Sequence, residues 1–307
     1  MFKRVMVAVV GIPLLLLVLI LAPDWAAVVL VAGMCAIGAW ELVHAVRGQR
    51  GASLSSVFVW APIFMSIMVP LEIYDVKSLQ SLIGFYWQDP DEMMREHMAE
   101  VIALGMRALG RHLFAIAMLV LAFLLFLFVC AIIAYGRNQA VPFADLTAAI
   151  FAGLVFPLML SCLLLLRLRE NGTAWVFVPL CISFGSDTLA LFAGMLFGKH
   201  KLTPVSPKKT VEGAVGGLLG GITGMLLFKL ITEAALGTAL VDWKTVMFLG
   251  IIGSVIGQIG DLSFSLIKRE FGVKDYGKLL PGHGGILDRF DSVTFVAPFV
   301  FLALGFI

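Results

Sequence analysis

The chain has 307 residues, of which 61% are hydrophobic and 14% are charged, and its net charge is +2. A mean hydropathy of +1.02 argues against a soluble globule, and the small net charge argues against nucleic acid as a partner. The four cysteines are scattered without CxxC spacing, which argues against disulfides and zinc.

Nine apolar runs are long enough to cross roughly 30 Å of hydrocarbon. They lie at residues 5–22, 26–46, 57–73, 113–135, 147–166, 174–197, 211–230, 245–267 and 293–307. The sequence therefore predicts an all-α, polytopic integral membrane protein with about nine transmembrane helices. We expect a transmembrane scaffold over 1–171 and a catalytic half over 172–307, because chemistry-bearing residues crowd into the latter.

The positive-inside rule places the N-terminus in the cytoplasm. The polar loops near 198–210 and 268–291 then face the cytoplasm, and the segment near 74–111 lies outside. Four basic residues in other outside loops go against the rule: Arg167, Arg169, Lys229 and Lys244. The short chain, without a long polar N-terminal extension, favours a bacterial inner membrane, with the active site facing the cytoplasm.

The first polar loop, FGKHKLTPVSPKKTVEG at 197–213, is rich in lysine. Lys208 and Lys209 are suited to binding an anion, and the hydroxyls of Ser206 and Thr210 precede a helical run that offers backbone N–H groups to a phosphate. An alternative is that the lysines only set topology or attract anionic lipid headgroups.

Two rows of glycine at four-residue spacing follow this loop: Gly213, Gly217, Gly221 and Gly216, Gly220, Gly224. Such rows favour close helix packing. The packing could lie within one chain or between two, which leaves a homodimer open.

The next apolar run contains Asp261, which shares a helix face with Ser265 and Lys268. A carboxylate at membrane depth indicates function unless it is paired. The alternative is an internal ion pair with Lys268 or Arg269.

Further acids flank the second polar loop. Asp288 and Asp291 stand three residues apart, with Arg289 between them, and Asp187 lies in the run before the lysine-rich loop. Carboxylates from separate elements are suited to Mg²⁺, which takes one or two of them and completes its shell with water and phosphate oxygens. The pattern predicts phosphoryl or nucleotidyl transfer. His283 lies in PGHGG, whose glycines allow the backbone to approach a ligand closely.

These residues resemble a known signature. SLIKR at 265–269, KD at 274–275 and PGHGGILDRFDS at 281–292 are similar to the signature of the phosphatidate cytidylyltransferases (CDP-diacylglycerol synthases). SPKKTVEG at 206–213 and DT at 187–188 resemble two further blocks of that family. The resemblance covers the last 120 or so residues, and in the N-terminal half only hydropathy agrees.

The resemblance implies transfer of CMP from CTP to the membrane lipid phosphatidate, for phospholipid biosynthesis, with Mg²⁺ required. On this basis we predict catalytic roles for Asp261, Asp288, Asp291, Lys268 and Arg289, substrate binding by Ser206, Lys208, Lys209, Thr210, Arg269, His283 and Asp187, and metal coordination by Asp261 and Asp288.

Three other functions remain open at this point. A CTP-dependent lipid or polyprenol kinase would share the nucleotide, metal and membrane but transfer the γ-phosphoryl group. An ion-coupled transporter would use Asp187, Asp261 and Asp288 as an ion pathway. A catalytically silent scaffold would fit the departures from the family pattern at Leu191 and Met195.

Overall fold

The computed structural model describes residues 17–50, 57–88, 98–137, 141–277, 279 and 284–305. Within these residues the regular structure is helical, apart from one antiparallel bridge between Lys201 and Thr210. The helices are α1 (Asp24–Arg50), α2 (Val57–Gln88), α3 (Met98–Gly136), α4 (Phe143–Ile150), a π-helical segment (Phe151–Val155), α5 (Phe156–Leu160), α6 (Cys162–Arg167), α7 (Gly172–Trp175), α8 (Phe177–Phe197), α9 (Val211–Leu236), α10 (Trp243–Glu270) and α11 (Leu287–Ala303). The predicted all-α class is confirmed.

Seven spans among the described residues are long and apolar enough to cross a membrane. The chain is therefore an integral membrane protein, but the predicted number of nine is not confirmed. Most of the predicted first span lies outside the described residues, and α11 has 17 residues, which is short for a membrane crossing. The segment predicted near 74–111 is partly helical, because α2 continues to Gln88 and α3 begins at Met98.

The span predicted at 147–166 is one composite element running from Phe143 to Arg167. Pro157 has no backbone N–H, so it cannot continue the hydrogen-bond ladder of the preceding turn. The π-helical segment lies immediately before this position, where an irregular turn accommodates the missing bond.

The glycine rows of α9 pack within the chain. A Cβ at Gly220 would overlap the carbonyl oxygen of Gly185 in α8, and one at Gly221 would overlap the carbonyl of Gly250 in α10. The two rows therefore let α9 lie close to both neighbours, as the small-residue spacing predicts. Helices α8 to α11 form a contiguous group around these contacts.

Helix α11 joins the two halves of the chain. It packs against α8 and α10 and also against α1, α5 and α6. Their shared core contains Leu42, Phe156, Phe264 and Leu287, all essentially inaccessible. The core thus includes residues on both sides of residue 171, and the predicted division into a scaffold half and a catalytic half stays a prediction.

Three of the four basic residues that go against the positive-inside rule have structural partners. Arg167 pairs with Asp24 at 3.0 Å and donates to the carbonyls of Leu19 and Ala22. Arg169 donates to Leu304 O at 3.2 Å, beyond the end of α11. Buried Lys229 donates to Val241 O at 2.8 Å, pairs with Glu233 at 3.3 Å and lies 5.4 Å from the Trp243 ring centre. These charges serve tertiary packing.

Candidate active site

The two polar loops meet at one end of the α8–α11 group. The lysine-rich loop joins α8 to α9, and the second loop joins α10 to α11. Arg269 Nε donates to Val205 O at 3.2 Å, and Lys209 forms an ion pair with Asp261. Residues predicted to act together from separate parts of the sequence are thus brought into one region.

The lysine-rich loop is fastened to the start of α9 by its own polar groups. Thr210 is the N-cap of α9, and its Oγ1 accepts a hydrogen bond from Gly213 N at 3.1 Å. Glu212 accepts from the backbone nitrogens of Lys199 and His200 and contacts His200 Nδ1 at 2.7 Å. The Thr210 hydroxyl therefore holds the helix terminus, which leaves the exposed Lys208 as the more accessible group for an anion.

Asp261 is held on two sides. Its carboxylate pairs with Lys209 and accepts from Ser265 Oγ at 3.3 Å. The predicted shared face of Asp261 and Ser265 is confirmed. The alternative, an ion pair of Asp261 with Lys268 or Arg269, is not observed among the described residues, because Asp261 pairs with Lys209 of the lysine-rich loop instead. The Asp261 side chain keeps 23% of its surface exposed, so ligands can still reach it.

Asp288 organises the second loop and has little exposed surface. Its Oδ1 accepts from Lys268 Nζ at 2.9 Å, and its Oδ2 accepts from the backbone nitrogens of Tyr276 and Gly285, each at 2.9 Å. A buried carboxylate with three donors is well satisfied. Asp288 therefore fixes both ends of the loop against α10, whatever else it binds.

Tyr276 anchors the same loop through its ring. Its hydroxyl donates to Phe264 O at 2.9 Å, and its ring packs edge-on against Phe264 at 6.1 Å between centroids. Burial, followed by the charges of Asp288 and Asp291, raises the pKa of Tyr276 well above its usual range. The phenol therefore stays protonated and keeps donating.

Three carboxylates from three helices, those of Asp187, Asp261 and Asp291, are near enough for their charges to interact. The charge of Asp261 repels those of Asp187 and Asp291, and the charge of Asp187 also acts on Asp291. Asp291 is buried. Within the described residues, the one hydrogen bond observed for its carboxylate is from Ser292 N, at 2.8 Å. Like charges gathered in this way favour a cation between them.

The donors present fit Mg²⁺ bound through few protein ligands. No three His, Cys, Asp or Glu side chains in the described part of the chain form a ready-made metal cage. The buried hydroxyl of Ser183 lacks a hydrogen-bond partner within the same residues, and the hydroxyl of Ser292 lies beside the Asp187 carboxylate. The carboxylates of Asp187 and Asp261 are partly accessible and have hydroxyls nearby. Such a set suits Mg²⁺, which keeps several waters and takes substrate phosphates.

The two predicted metal ligands have different surroundings. Asp261 lies with Asp187 and Asp291, while Asp288 is engaged by Lys268 and two backbone N–H groups. Metal coordination by Asp261 and Asp288 stays a prediction, and the surroundings of Asp261 are the better suited to it because they concentrate negative charge.

The remaining predicted residues have less defined positions. Arg289 and Arg269 are exposed beside this region, and Ser206 is half-buried in the lysine-rich loop. Asp187 is exposed on α8 and belongs to the group of three carboxylates described above. His283 lies outside the described residues. The predicted catalytic role of Arg289 and the predicted substrate binding by Arg269, Ser206, His283 and Asp187 stay predictions.

Sequence reasoning missed Glu41, which lies on α1 in the predicted scaffold half. Its side chain is fully buried, and its two oxygens accept from Ile286 N and Leu287 N, each at 3.0 Å. The missed signal was a lone acid inside an apolar run, which the reasoning applied to Asp261 would also have selected.

Two glycines of the second loop are required by carboxylates of the protein. Gly284 has φ +88°, which disfavours other residues, and a Cβ there would lie 2.7 Å from Asp288 Oδ2. A Cβ at Gly285 would overlap both Glu41 oxygens. The sequence predicted that this backbone approaches a ligand closely. In the structure, the backbone at Gly284 and Gly285 approaches the side chains of Asp288 and Glu41.

Comparison with known proteins gives two findings. A sequence model of the Cytidylyltransferase family matches residues 2–307. The phosphatidate cytidylyltransferase of Bacillus subtilis is 38% identical over 159 residues, covering 52% of this chain and 56% of that protein. Those of Staphylococcus saprophyticus and Mycobacterium tuberculosis are 44% identical over 137 residues and 37% over 164, covering 44% and 52% of this chain and 51% and 48% of those proteins. The matched region thus spans about half of each relative.

Proposed function

Because the chain belongs to the cytidylyltransferase family, we propose that it transfers CMP from CTP to phosphatidate, forming CDP-diacylglycerol and pyrophosphate for phospholipid biosynthesis. The observation that carries the proposal is the meeting of the two polar loops, which gathers carboxylates of three helices beside several cations. Relatives named phosphatidate cytidylyltransferase support the choice of substrates.

In the proposed reaction, an oxygen of the phosphatidate phosphate forms a bond to the α-phosphorus of CTP. The bond from that phosphorus to the bridging oxygen of the β-phosphate breaks, and pyrophosphate leaves with the electron pair. No strong base is required, because a phosphomonoester with a second pKa of about 6 is already largely ionised. The protein's task is to position two polyanions and neutralise their charge.

The cations are distributed to suit two phosphate groups. Lys208, Lys209 and Arg289 are our candidates for the leaving pyrophosphate, and Lys268 and Arg269 for the lipid phosphate. Lys209 already pairs with Asp261, and Lys268 already pairs with Asp288. These ion pairs orient the two ammonium groups towards the site. Arginine and lysine at such positions form charge-assisted hydrogen bonds to phosphate oxygens.

The carboxylates supply the other half of the charge balance. We propose that Asp261 and Asp288 hold Mg²⁺, with Asp291 orienting the surrounding groups. When bound, the ion neutralises charge on the nucleotide phosphates and on the leaving group. Asp187 and Asp261 concentrate negative charge where such an ion would lie. The surface that each side chain exposes leaves room for its waters.

The setting follows from the substrates. Phosphatidate resides in the bilayer and CTP is cytosolic, so we propose that both loops face the cytoplasm from a bacterial inner membrane. The basic residues of these loops support that side, because positive charge is retained in the cytoplasm. The catalytic half remains 172–307 in this proposal, with the N-terminal helices supporting it, and a homodimer is left to measurement of mass in detergent.

The decisive experiment follows two labels of CTP into lipid. Purified protein in detergent micelles receives phosphatidate and either α-labelled or γ-labelled CTP, with and without Mg²⁺. Asp261→Asn is the test variant, and Asp242→Asn is its matched control on the same helix. Asp242 caps α10 by accepting from Thr245 N at 2.8 Å, a role that Asn also fills.

We expect Mg²⁺-dependent transfer of the α-label, no transfer of the γ-label, and a loss of about 100-fold or more in Asp261→Asn only. Transfer of the γ-label alone would replace the proposal with a lipid kinase. A folded protein that labels no lipid, yet moves cations in proteoliposomes, would replace it with a transporter.

A further inference from the structure

The N-terminal half makes a direct polar connection to the second polar loop. Glu41 lies 245 residues before Ile286 in sequence, yet its Oε1 accepts from Ile286 N and its Oε2 from Leu287 N, each at 3.0 Å. These nitrogens open α11, where backbone N–H groups have no partner within the helix. A single side chain of α1 therefore satisfies two backbone N–H groups at the start of α11.

The loop is built around this carboxylate on two sides. A Cβ at Gly277 or Gly285 would overlap the Glu41 carboxylate, so the backbone approaches it more closely than any other residue type allows. Gly277 follows Tyr276 and Gly285 precedes Ile286, so the contacts lie at both ends of the segment 277–285. The Glu41 carboxylate thus lies against the backbone of the second loop at both Gly277 and Gly285.

The contacts of Glu41 are continuous with the residues assigned to catalysis. Gly285 N, adjacent to the Glu41 contact, donates to Asp288 Oδ2, and Asp288 Oδ1 accepts from Lys268. Asp288 and Arg289 stand in the first turn of α11, directly after the two nitrogens that Glu41 binds. A shift of this helix start would move Asp288 away from Lys268 on α10.

We propose that Glu41 is a positioning residue. It holds the start of α11 and the backbone at Gly277 and Gly285, so that Asp288, Lys268 and Arg289 keep their places in the active site. The proposal rests on the proposed function, because these three residues are assigned through it. It also gives the N-terminal half a specific part in catalysis, where the sequence indicated only a scaffold.

The test substitutes Glu41→Gln, which keeps the size of the side chain but replaces one accepting oxygen with a donor that faces a backbone N–H. Glu233→Gln is the matched control, since Glu233 is also a membrane-helix glutamate with a partner, Lys229, in a different part of the fold. Steady-state kinetics are normalised to folded protein from size exclusion.

We expect kcat of Glu41→Gln to fall by about 10- to 100-fold, as displacements of about 1 Å do in active sites. The KM for CTP should change by less, because two of the three cations assigned to its phosphates, Lys208 and Lys209, lie in the lysine-rich loop. Glu41 has no observed hydrogen bond to that loop among the described residues. Unchanged kcat in the folded protein would overturn the proposal.

Hydrogen–deuterium exchange gives a readout that does not depend on activity. In Glu41→Gln, we expect peptides covering 284–289 to exchange at least about 10-fold faster, with peptides covering 199–213 unchanged. A merely structural role would raise exchange across both regions, and that result would also overturn the proposal. If the wild type transfers no label to lipid and Glu41→Gln still loosens only 284–289, the proposed function is refuted, and what stands is that Glu41 holds the start of α11.

A double substitution tests the contact itself. Gly285→Ala introduces a Cβ where the Glu41 carboxylate lies, so alone it should impair kcat as strongly as Glu41→Ala does. In the Glu41→Ala background the space is vacant, and Gly285→Ala should then add less than about a twofold further loss. Losses that multiply independently would show that the two positions do not act through this contact.

Discussion

The ion pair between Lys268 and Asp288 should contribute to stability even without substrates. Their side chains are 12% and 4% exposed, and the Nζ–Oδ1 distance is 2.9 Å. Removing one partner of a buried pair costs about 3–5 kcal/mol, because the other charge is left uncompensated. Since Lys268 retains some contact with solvent, we expect about 3 kcal/mol for Asp288→Asn, at the lower end of that range.

The magnitude can be isolated by a double-mutant cycle with Lys268→Met, which keeps most of the side-chain volume. We expect the double variant to be about 2 kcal/mol more stable than the sum of the single losses predicts. The measurement is reversible unfolding in mixed micelles with a denaturing detergent, followed by tryptophan fluorescence.

The pair Lys209–Asp261 is the matched control. Its side chains are 28% and 23% exposed, so its coupling should stay below about 1 kcal/mol. The charge of Asp261 also repels Asp187 and Asp291, and its removal relieves that repulsion. The reasoning is refuted if the Lys268–Asp288 losses add to within about 0.5 kcal/mol, or if both pairs couple equally.

Two further predictions concern helix α9. Thr210→Ala should cost about 1 kcal/mol by removing the cap on Gly213 N, while Thr210→Ser should retain most of it, as unfolding curves can show. Gly220→Ala should cost about 1–3 kcal/mol, because its Cβ would overlap the Gly185 carbonyl. Gly33→Ala in α1 is the control, with open space at the Cβ and an expected gain of up to about 1 kcal/mol. Equal effects at both glycines would contradict the packing account.

Local patterns in the sequence were sufficient for several features. Long apolar runs predicted the spanning helices, because a helix in a bilayer must satisfy its backbone internally and present apolar side chains to lipid. The four-residue spacing of glycine predicted close packing of α9, and the spacing of Asp261 and Ser265 predicted their shared face. Each of these depends on helical periodicity, which sequence contains directly.

The pairing of charges across the site could not be read in this way. Helical spacing placed Lys268 beside Asp261, yet Lys268 pairs with Asp288 and Asp261 pairs with Lys209 from the other loop. Both alternatives satisfy the same charges, so sequence has no means of choosing between them. The choice depends on how α9, α10 and α11 are arranged in space.

By itself, the sequence determined that the chain is an all-α membrane protein, and its motifs pointed to a family of cytidylyltransferases. Only the tertiary structure decided that Glu41 reaches the start of α11 and that Gly277 and Gly285 must admit its carboxylate. The physical reason is range: periodicity and capping act within a few residues, whereas a buried carboxylate takes whichever unpaired N–H groups the packing of distant helices brings to it.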